Sequence, residues 1–410
     1  MVIQFVIGMS KSLRLASSLS LALALLVPAL SFSQEKEYKE AYDFYKANDF
    51  KAAEKAVNEA IEKAPETYKY HFLKASILVR VNRYKEAITA LEKCVSLKPD
   101  YADALFMLGS LYSINGNDEK AAEVLERAVT YKPDHYQGAY KLGSTYVKLH
   151  QYEKAEKTFS NIENMGRERF EFNYSYGVVL KSRGNYNKAI TYLEIAHRLK
   201  PDHIPVQLDL AEAYLHTNRF KEAIEAVNRA LVMDPKNIDA LETLGNAQLG
   251  AKEYQKAIET ANKMISIASS DDRSYLLRGK AYKGLDETDK AVADLRKVAD
   301  ATRGNGCEAA TILAGIYYQR KEFDKAETYY LKVYKCYRGW EALLNLAHVY
   351  YKQRRYMEAL ETYEKVLRFK PGNADAERGV ASSKKQLDRQ IKKEEQPDQQ
   401  EATPSTVEAQ

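Results

Sequence analysis

Cysteine is nearly missing from this chain, with three in 410 residues. So few cannot carry a small fold built on disulfides, which needs a dense framework of them. An excess of one charge is missing too: 62 Lys and Arg stand against 57 Asp and Glu, for a net of +5. Neutralising a phosphate backbone takes a clustered basic excess, so this balance argues against a dedicated nucleic-acid binder. Apolar residues are not scarce, at 45%, and that fraction excludes a wholly disordered chain. Aromatic usage is lopsided, with one Trp and 12 Phe beside 31 Tyr. Length alone suggests two or three ordinary domains, an expectation that repeats would override.

The amino terminus reads as an address. Residues Ala16 to Leu30 form a fifteen-residue stretch without charge, preceded by Lys11 and Arg14. Ser31-Phe32-Ser33 then places small residues at the two positions that a signal peptidase reads. A spanning helix needs about 20 apolar residues. The expectation is therefore a signal peptide over 1–33, cleaved after Ser33, and an exported protein of the periplasm or envelope. A retained anchor is the alternative, and only then would the chain contact a membrane. Met9 opens a tidier signal than Met1, so translation could start at either.

A period of thirty-four fills the rest. Lys98-Pro99-Asp100, Lys132-Pro133-Asp134 and Lys200-Pro201-Asp202 are spaced by one and then two such periods. With each Pro as position 32, ten repeats start at 34, 68, 102, 136, 170, 204, 238, 272, 307 and 340. Position 20 is then Ala in all ten, from Ala53 to Ala359, and position 8 is always Gly or Ala. Position 11 is aromatic in seven repeats and position 17 in eight, which absorbs much of the Tyr excess. Within repeat 3, Ala104, Leu105, Leu108, Leu111 and Tyr112 fall at helical spacing, and Asn115-Gly116-Asn117-Asp118 is a turn. Neither helix buries its apolar face alone, so stacked neighbours must cover it.

These residues resemble the tetratricopeptide repeat, a helix–turn–helix unit. The resemblance covers 34–373 and implies an all-α, right-handed superhelical solenoid of about ten repeats. Small residues at 8 and 20 would let the helices of a unit approach, and aromatics at 11 and 17 would fill the space between units. The chain departs from the family at position 4, where Trp never occurs, and at position 7, polar in Glu40, Lys74 and Arg278. Repeats 4, 7, 8 and 9 lack the closing Pro. Residues 374–395 read as a polar capping helix, which a stack end requires. Residues 396–410 have little to bury and read as a disordered tail.

No catalytic constellation withstands a context test. Gly304-x-Gly306-x-x-Ala309 lacks the strand that a dinucleotide loop follows. Ser382-x-x-Lys385 sits on the polar helix without partner motifs. The seven His show no metal-ligand spacing, although His135 and His203 share position 34. The expectation is no enzyme, no cofactor, no metal and no small-molecule substrate. Cys307 and Cys336 fall at positions 1 and 30 of repeat 9, which the antiparallel helices of such a unit bring together. The expectation is a disulfide between them, as an exported chain in an oxidising compartment would form; two free thiols are the alternative. Cys94, at position 27, reads as a small buried hydrophobe.

In tetratricopeptide stacks the first helices line the concave face, with positions 2, 5, 9 and 12 inward. Position 5 here carries Tyr38, Phe72, Phe106, Tyr140 and Tyr174 in repeats 1–5 and no aromatic in repeats 6–10. Ser76, Ser110 and Ser144 at position 9 would leave room beside the rings, and Tyr42 and Tyr45 extend the set. Lys69 and Asp103 would rim it. The resemblance implies a peptide groove formed by a ladder of exposed rings; packing of those rings between units is the alternative. Lys at 5 with Asn at 9, the family's carboxylate clamp, occurs in no repeat. The reading is an exported scaffold that binds a protein or peptide in its groove, for envelope assembly or secretion. The alternative is an accessory subunit that organises a complex through its convex face.

Overall fold

The structure is a computed structural model that describes residues 36–300 and 304–395. The signal segment 1–33 and the tail 396–410 lie outside the described residues. All regular structure among the described residues is helical. The chain divides into two compact units, Met1–Pro201 and Asp202–Gln410. The division falls at the end of repeat 5, where aromatics at position 5 also stop.

In the first unit, α1 (36–46) pairs with α2 (Phe50–Lys63), α3 (Tyr68–Arg80) with α4 (Tyr84–Leu97), and α5 (Ala102–Ile114) with α6 (Asp118–Tyr131). α7 (Tyr136–Lys148) pairs with α8 (Tyr152–Asn161), followed by the short α9 (Glu163–Gly166); α10 (Phe170–Ser182) pairs with α11 (Tyr186–Leu199). In the second unit the pairs are α12 (Ile204–His216) and α13 (Phe220–Met233), α14 (Ile238–Gly250) and α15 (Tyr254–Ile267), and α16 (Asp272–Gly284) and α17 (Thr288–Ala299). α18 (Asn305–Gln319) with α19 (Phe323–Tyr337) and α20 (Trp340–Lys352) with α21 (Tyr356–Phe369) follow, and α22 (Ala374–Glu395) closes the chain.

One turn recurs in every repeat. Position 15 takes positive φ ten times, at Asn48, Asn82, Gly116, His150, Gly184, Asn218, Lys252, Asp286, Lys321 and Arg354. The amide of the residue just before the second helix then closes the turn on the carbonyl of position 11, as in Asn117 N to Tyr112 O at 2.9 Å. Left-handed backbone suits Gly and Asn, yet Lys and Arg are forced into it here. The turn in repeat 3 is completed by Asn117, whose side chain accepts from the Lys120 amide. Asp118 accepts from the Ser113 hydroxyl instead.

The small positions are where helices touch. All ten Ala at position 20 are fully buried. A Cβ on Gly109 would sit 2.6 Å from Leu125 Cγ, and one on Gly143 would sit 2.5 Å from Phe159 Cε1. Within each unit, first helices of successive repeats touch, as α5 with α7 and α14 with α16. Successive second helices share no comparable contact among the described residues, so each unit carries its first helices on the inner side.

The departures from the repeat pattern have local causes. His71, at position 4, places Nε2 2.7 Å from the Pro65 carbonyl. Asn173, at position 4 of repeat 5, donates to the carbonyls of Arg167 and Arg169 at 2.9 and 2.7 Å. These polar side chains hold the preceding loop in the place of a large ring. Arg278, at position 7, is tied to Asp294 by bonds of 2.7 and 2.8 Å. Repeat 9, without its Pro, ends α19 on Arg338 in the left-handed region.

Candidate partner-binding surface

The rings at position 5 all lie on the first helices of unit 1, but each has found its own neighbour. Tyr38 stacks on Tyr42 at 5.8 Å, and Tyr42 on Tyr45 at 6.3 Å. Phe72 meets the edge of Tyr101 at 5.0 Å. Tyr140 stacks on Tyr136 at 6.0 Å, and Tyr174 on Phe170 at 5.9 Å. The Tyr140 hydroxyl also reaches Ser175 Oγ at 3.1 Å.

Phe106 departs from the expectation. It is only 6% exposed, lies flat against His135 at 4.1 Å, and packs over Gly138, whose missing Cβ leaves the space. It is an inter-repeat core residue. No ring contact joins Tyr38 to Phe72, Phe72 to Phe106, or Phe106 to Tyr140 among the described residues, so the rings do not form a continuous ladder. The serines are likewise engaged: Ser76 is buried and donates to the Phe72 carbonyl, and Ser144 donates to the Tyr140 carbonyl, both at 2.9 Å. Tyr38, Tyr42, Tyr45, Phe72, Tyr140 and Tyr174 stay half-buried, with area left to offer, and Ser110 is half-buried beside Phe106.

A depression of about 330 Å³ opens between repeats 3 and 4, lined by Phe72, Asp103, Phe106, Ser110, His135 and Gln137. Its floor is the Phe106–His135 stack and its wall is the half-buried face of Phe72. His135 is fixed in place, because its Nδ1 accepts from the Gly138 amide at 3.0 Å. That bond gives the position-34 His a capping role.

Sequence reading missed a second layer. Positions 1, 31 and 34 supply rings and cations at the edge of the same face. Lys98 sits over Tyr68 at 5.0 Å, Arg169 over Tyr136 at 4.6 Å, and Lys200 over Phe170 at 4.0 Å. The signal was visible as Tyr68, Tyr136 and Phe170, each at position 1. Burial raises the Tyr101 hydroxyl to about 12, and Asp103 adds to it.

In unit 2 the ring–cation pair recurs in repeat 10, where Lys370 sits over Trp340 at 4.1 Å, and position 5 is charged only at Glu242. Arg273 bonds Asp239 and Glu242, each at 2.8 Å, and also Asp271. The Arg273 hydrogen bonds hold the Asp271 carboxyl below its ordinary range. The Cys307 and Cys336 sulfurs are bonded, with Cα atoms 6.0 Å apart, and join α18 to α19. Cys94 is buried, and its thiol is pushed up to about 12 by burial. Among the described residues no group of three or more His, Cys, Asp or Glu could hold a metal ion. Ser382 and Lys385 are exposed on α22, and Gly304 is the residue before α18. Among the described residues no helix is long and apolar enough to cross a membrane.

Family comparison agrees with this geometry along nearly the whole chain. The Psidin N-terminal tetratricopeptide-repeat region matches residues 35–207, and tetratricopeptide-repeat models match 276–339 and 340–373. The chain is a tetratricopeptide-repeat protein. The family model of anaphase-promoting complex (cyclosome) subunit 3 matches residues 182–264 of it. No curated protein matches the sequence. Among solved structures, YrrB, described as a TPR protein with an unusual peptide-binding site, is 22% identical, covering 45% of this chain and 96% of its own at TM-score 0.43. A tetratricopeptide-repeat protein from Parabacteroides merdae is 21% identical, covering 61% of this chain and 98% of its own at TM-score 0.40. Yeast Tom70 is 16% identical and covers 88% of this chain and 90% of its own at TM-score 0.43. Tetratricopeptide scaffolds are protein-interaction folds and generally non-catalytic.

Proposed function

We propose that this protein is an exported scaffold that holds a peptide segment of a protein partner on the inner face of repeats 1–5, in envelope assembly or secretion. The observation that carries the reading is the depression between repeats 3 and 4, with half-buried Phe72 on its wall and half-buried Tyr140 in the neighbouring repeat. Aromatic area of this kind supplies contact at low entropic cost. Export draws support from the fifteen-residue run before Ser33 and from the Cys307–Cys336 bond, since disulfides persist in oxidising compartments. Amino-terminal sequencing should find Gln34 first; finding Met1 or Met9 overturns the cleavage.

A second reading, docking through the second helices, has one observation in its favour. Val232 of α13 is 82% exposed beside a depression of about 460 Å³ lined by Leu231, Leu241 and Leu244. Crosslinking in the native cell identifies the partner, and a pull-down then separates the readings. Phe72→Ala with Tyr140→Ala should abolish capture while Val232→Glu leaves it intact. The opposite pattern favours the second reading.

A further inference from the structure

Three ring groups on the inner edge of unit 1 are topped by a cation. Lys98 lies over Tyr68, which meets Tyr101 at 5.1 Å, and Tyr101 meets Phe72. Arg169 lies over Tyr136, which stacks on Tyr140. Lys200 lies over Phe170, which stacks on Tyr174. Repeat 3 has Ala102 at position 1, and there Lys132 pairs with Asp103 at 3.2 Å instead.

A ring face attracts a cation without neutralising it. The side chain is ordered in advance, and its charge stays available to a ligand, which lowers the ordering cost of a later ion pair. The carboxylates at position 2 are already committed: Asp103 to Lys132 and Glu171 to Lys200, the latter at 3.0 Å. Lys98 and Arg169 make no carboxylate ion pair within 4.0 Å among the described residues. Arg169 still acts on the Glu171 carboxylate at longer range. The edge thus presents two ring-held cations outside any carboxylate ion pair, beside half-buried aromatic faces.

We infer that the occupant of this face is an extended acidic peptide in which Asp or Glu alternates with aromatic or apolar side chains. The inference rests on the groove reading above and names the chemistry of its ligand. Carboxylates would reach Lys98 and Arg169 while the intervening side chains lie on Phe72 and Tyr140. A single-stranded nucleic acid also stacks on rings and pairs with cations. It is disfavoured because a continuous phosphate backbone needs a clustered basic excess, and the chain balances 62 Lys and Arg against 57 Asp and Glu.

The test is a titration of the full chain with fluorescein-labelled Glu/Tyr, Gln/Tyr and Lys/Tyr alternating peptides and an oligo-dT strand. The Glu/Tyr peptide should bind about tenfold tighter than Gln/Tyr at low salt, with the gap closing as salt rises. Lys98→Glu with Arg169→Glu should remove that advantage and leave Gln/Tyr binding unchanged, with the helical circular-dichroism signal intact. Lys98→Arg should keep it. Equal binding of Glu/Tyr and Gln/Tyr, tighter binding of Lys/Tyr or oligo-dT, or no binding of any probe overturns the acidic ligand. If Phe72→Ala with Tyr140→Ala weakens both neutral and acidic peptides while the charge variant changes neither, the groove stands and only the acidic inference falls. If the charge variant removes the advantage and the ring variant does nothing, the inner-face groove falls and the cation edge stands.

Discussion

Ten residues at position 15 share one backbone conformation and very different side chains. Gly116 and Gly184 enter the left-handed region freely, whereas Lys252, Lys321 and Arg354 carry a Cβ there. That conformation costs a non-glycine residue about 1–2 kcal/mol. Lys252→Gly should therefore stabilise unit 2 by up to about 1 kcal/mol, the gain being trimmed by the entropy of a glycine in the unfolded chain. Gly116→Ala should weaken unit 1 by a similar amount. Urea unfolding of each variant checks both signs, and a Lys252→Gly variant less stable than wild type would contradict the argument. Phe106 makes a second residue-scale case. Its ring fills the space over Gly138 and against His135, so Phe106→Ala should cost about 3–5 kcal/mol, like other buried Phe truncations. Phe72→Ala should cost less, since part of its surface faces solvent. A Phe106→Ala protein with unchanged unfolding would return that residue to the groove.

At the scale of elements, repeat 9 is the irregular one. It has no closing Pro, it is spaced thirty-five residues from repeat 8, and α19 ends in a strained left-handed Arg338. The Cys307–Cys336 bond joins the start of α18 to the end of α19 across a sequence separation of 29. Closing a loop of that length in the unfolded chain contributes about 3–4 kcal/mol in the chain-entropy account. Reduction, or Cys307→Ser with Cys336→Ser, should let α18 to α22 exchange amide hydrogens faster while α12 to α15 keep their protection. Uniform protection after reduction would show that packing alone holds repeat 9. Cys94 gives the contrasting thiol. Buried on α4 and pushed up to about 12, it should resist alkylation in the native protein and label only on unfolding.

The whole molecule has an alkaline limit written into its tyrosines. Burial raises Tyr101 and Tyr112 to about 12, and burial with a Glu126 hydrogen bond raises Tyr146 further. A folded-state value above the unfolded 10.0 means the protonated hydroxyl is favoured by folding. The contribution is fully present below pH 10 and is lost as the pH climbs towards 12. Stability to urea should be flat from neutral pH to about pH 10 and fall steeply above it, in step with tyrosinate absorbance. A loss of stability already complete at pH 9 would need a different titrating group.

The sequence alone determined the repeat. A period of thirty-four, Ala at position 20 and small residues at position 8 are direct consequences of two helices that must nearly touch, so steric demand left a mark at each recurrence. The polar residues at position 4 were legible as departures, but not as the loop ties that His71 and Asn173 make, because a hydrogen bond to a distant carbonyl has no period. The candidate surface was legible only in part. Position 5 marked the right rings, yet nothing in a one-dimensional pattern separates Phe106, which is covered by His135, from Phe72, which is left half-open. That choice belongs to the neighbouring repeat: whether Gly138 or a larger residue stands opposite, and whether the residue at position 34 can lie flat on a ring. Tertiary packing also decided which cations meet which rings, since Lys98 and Tyr68 lie thirty residues apart and meet only when the helices of repeat 2 fold back on each other.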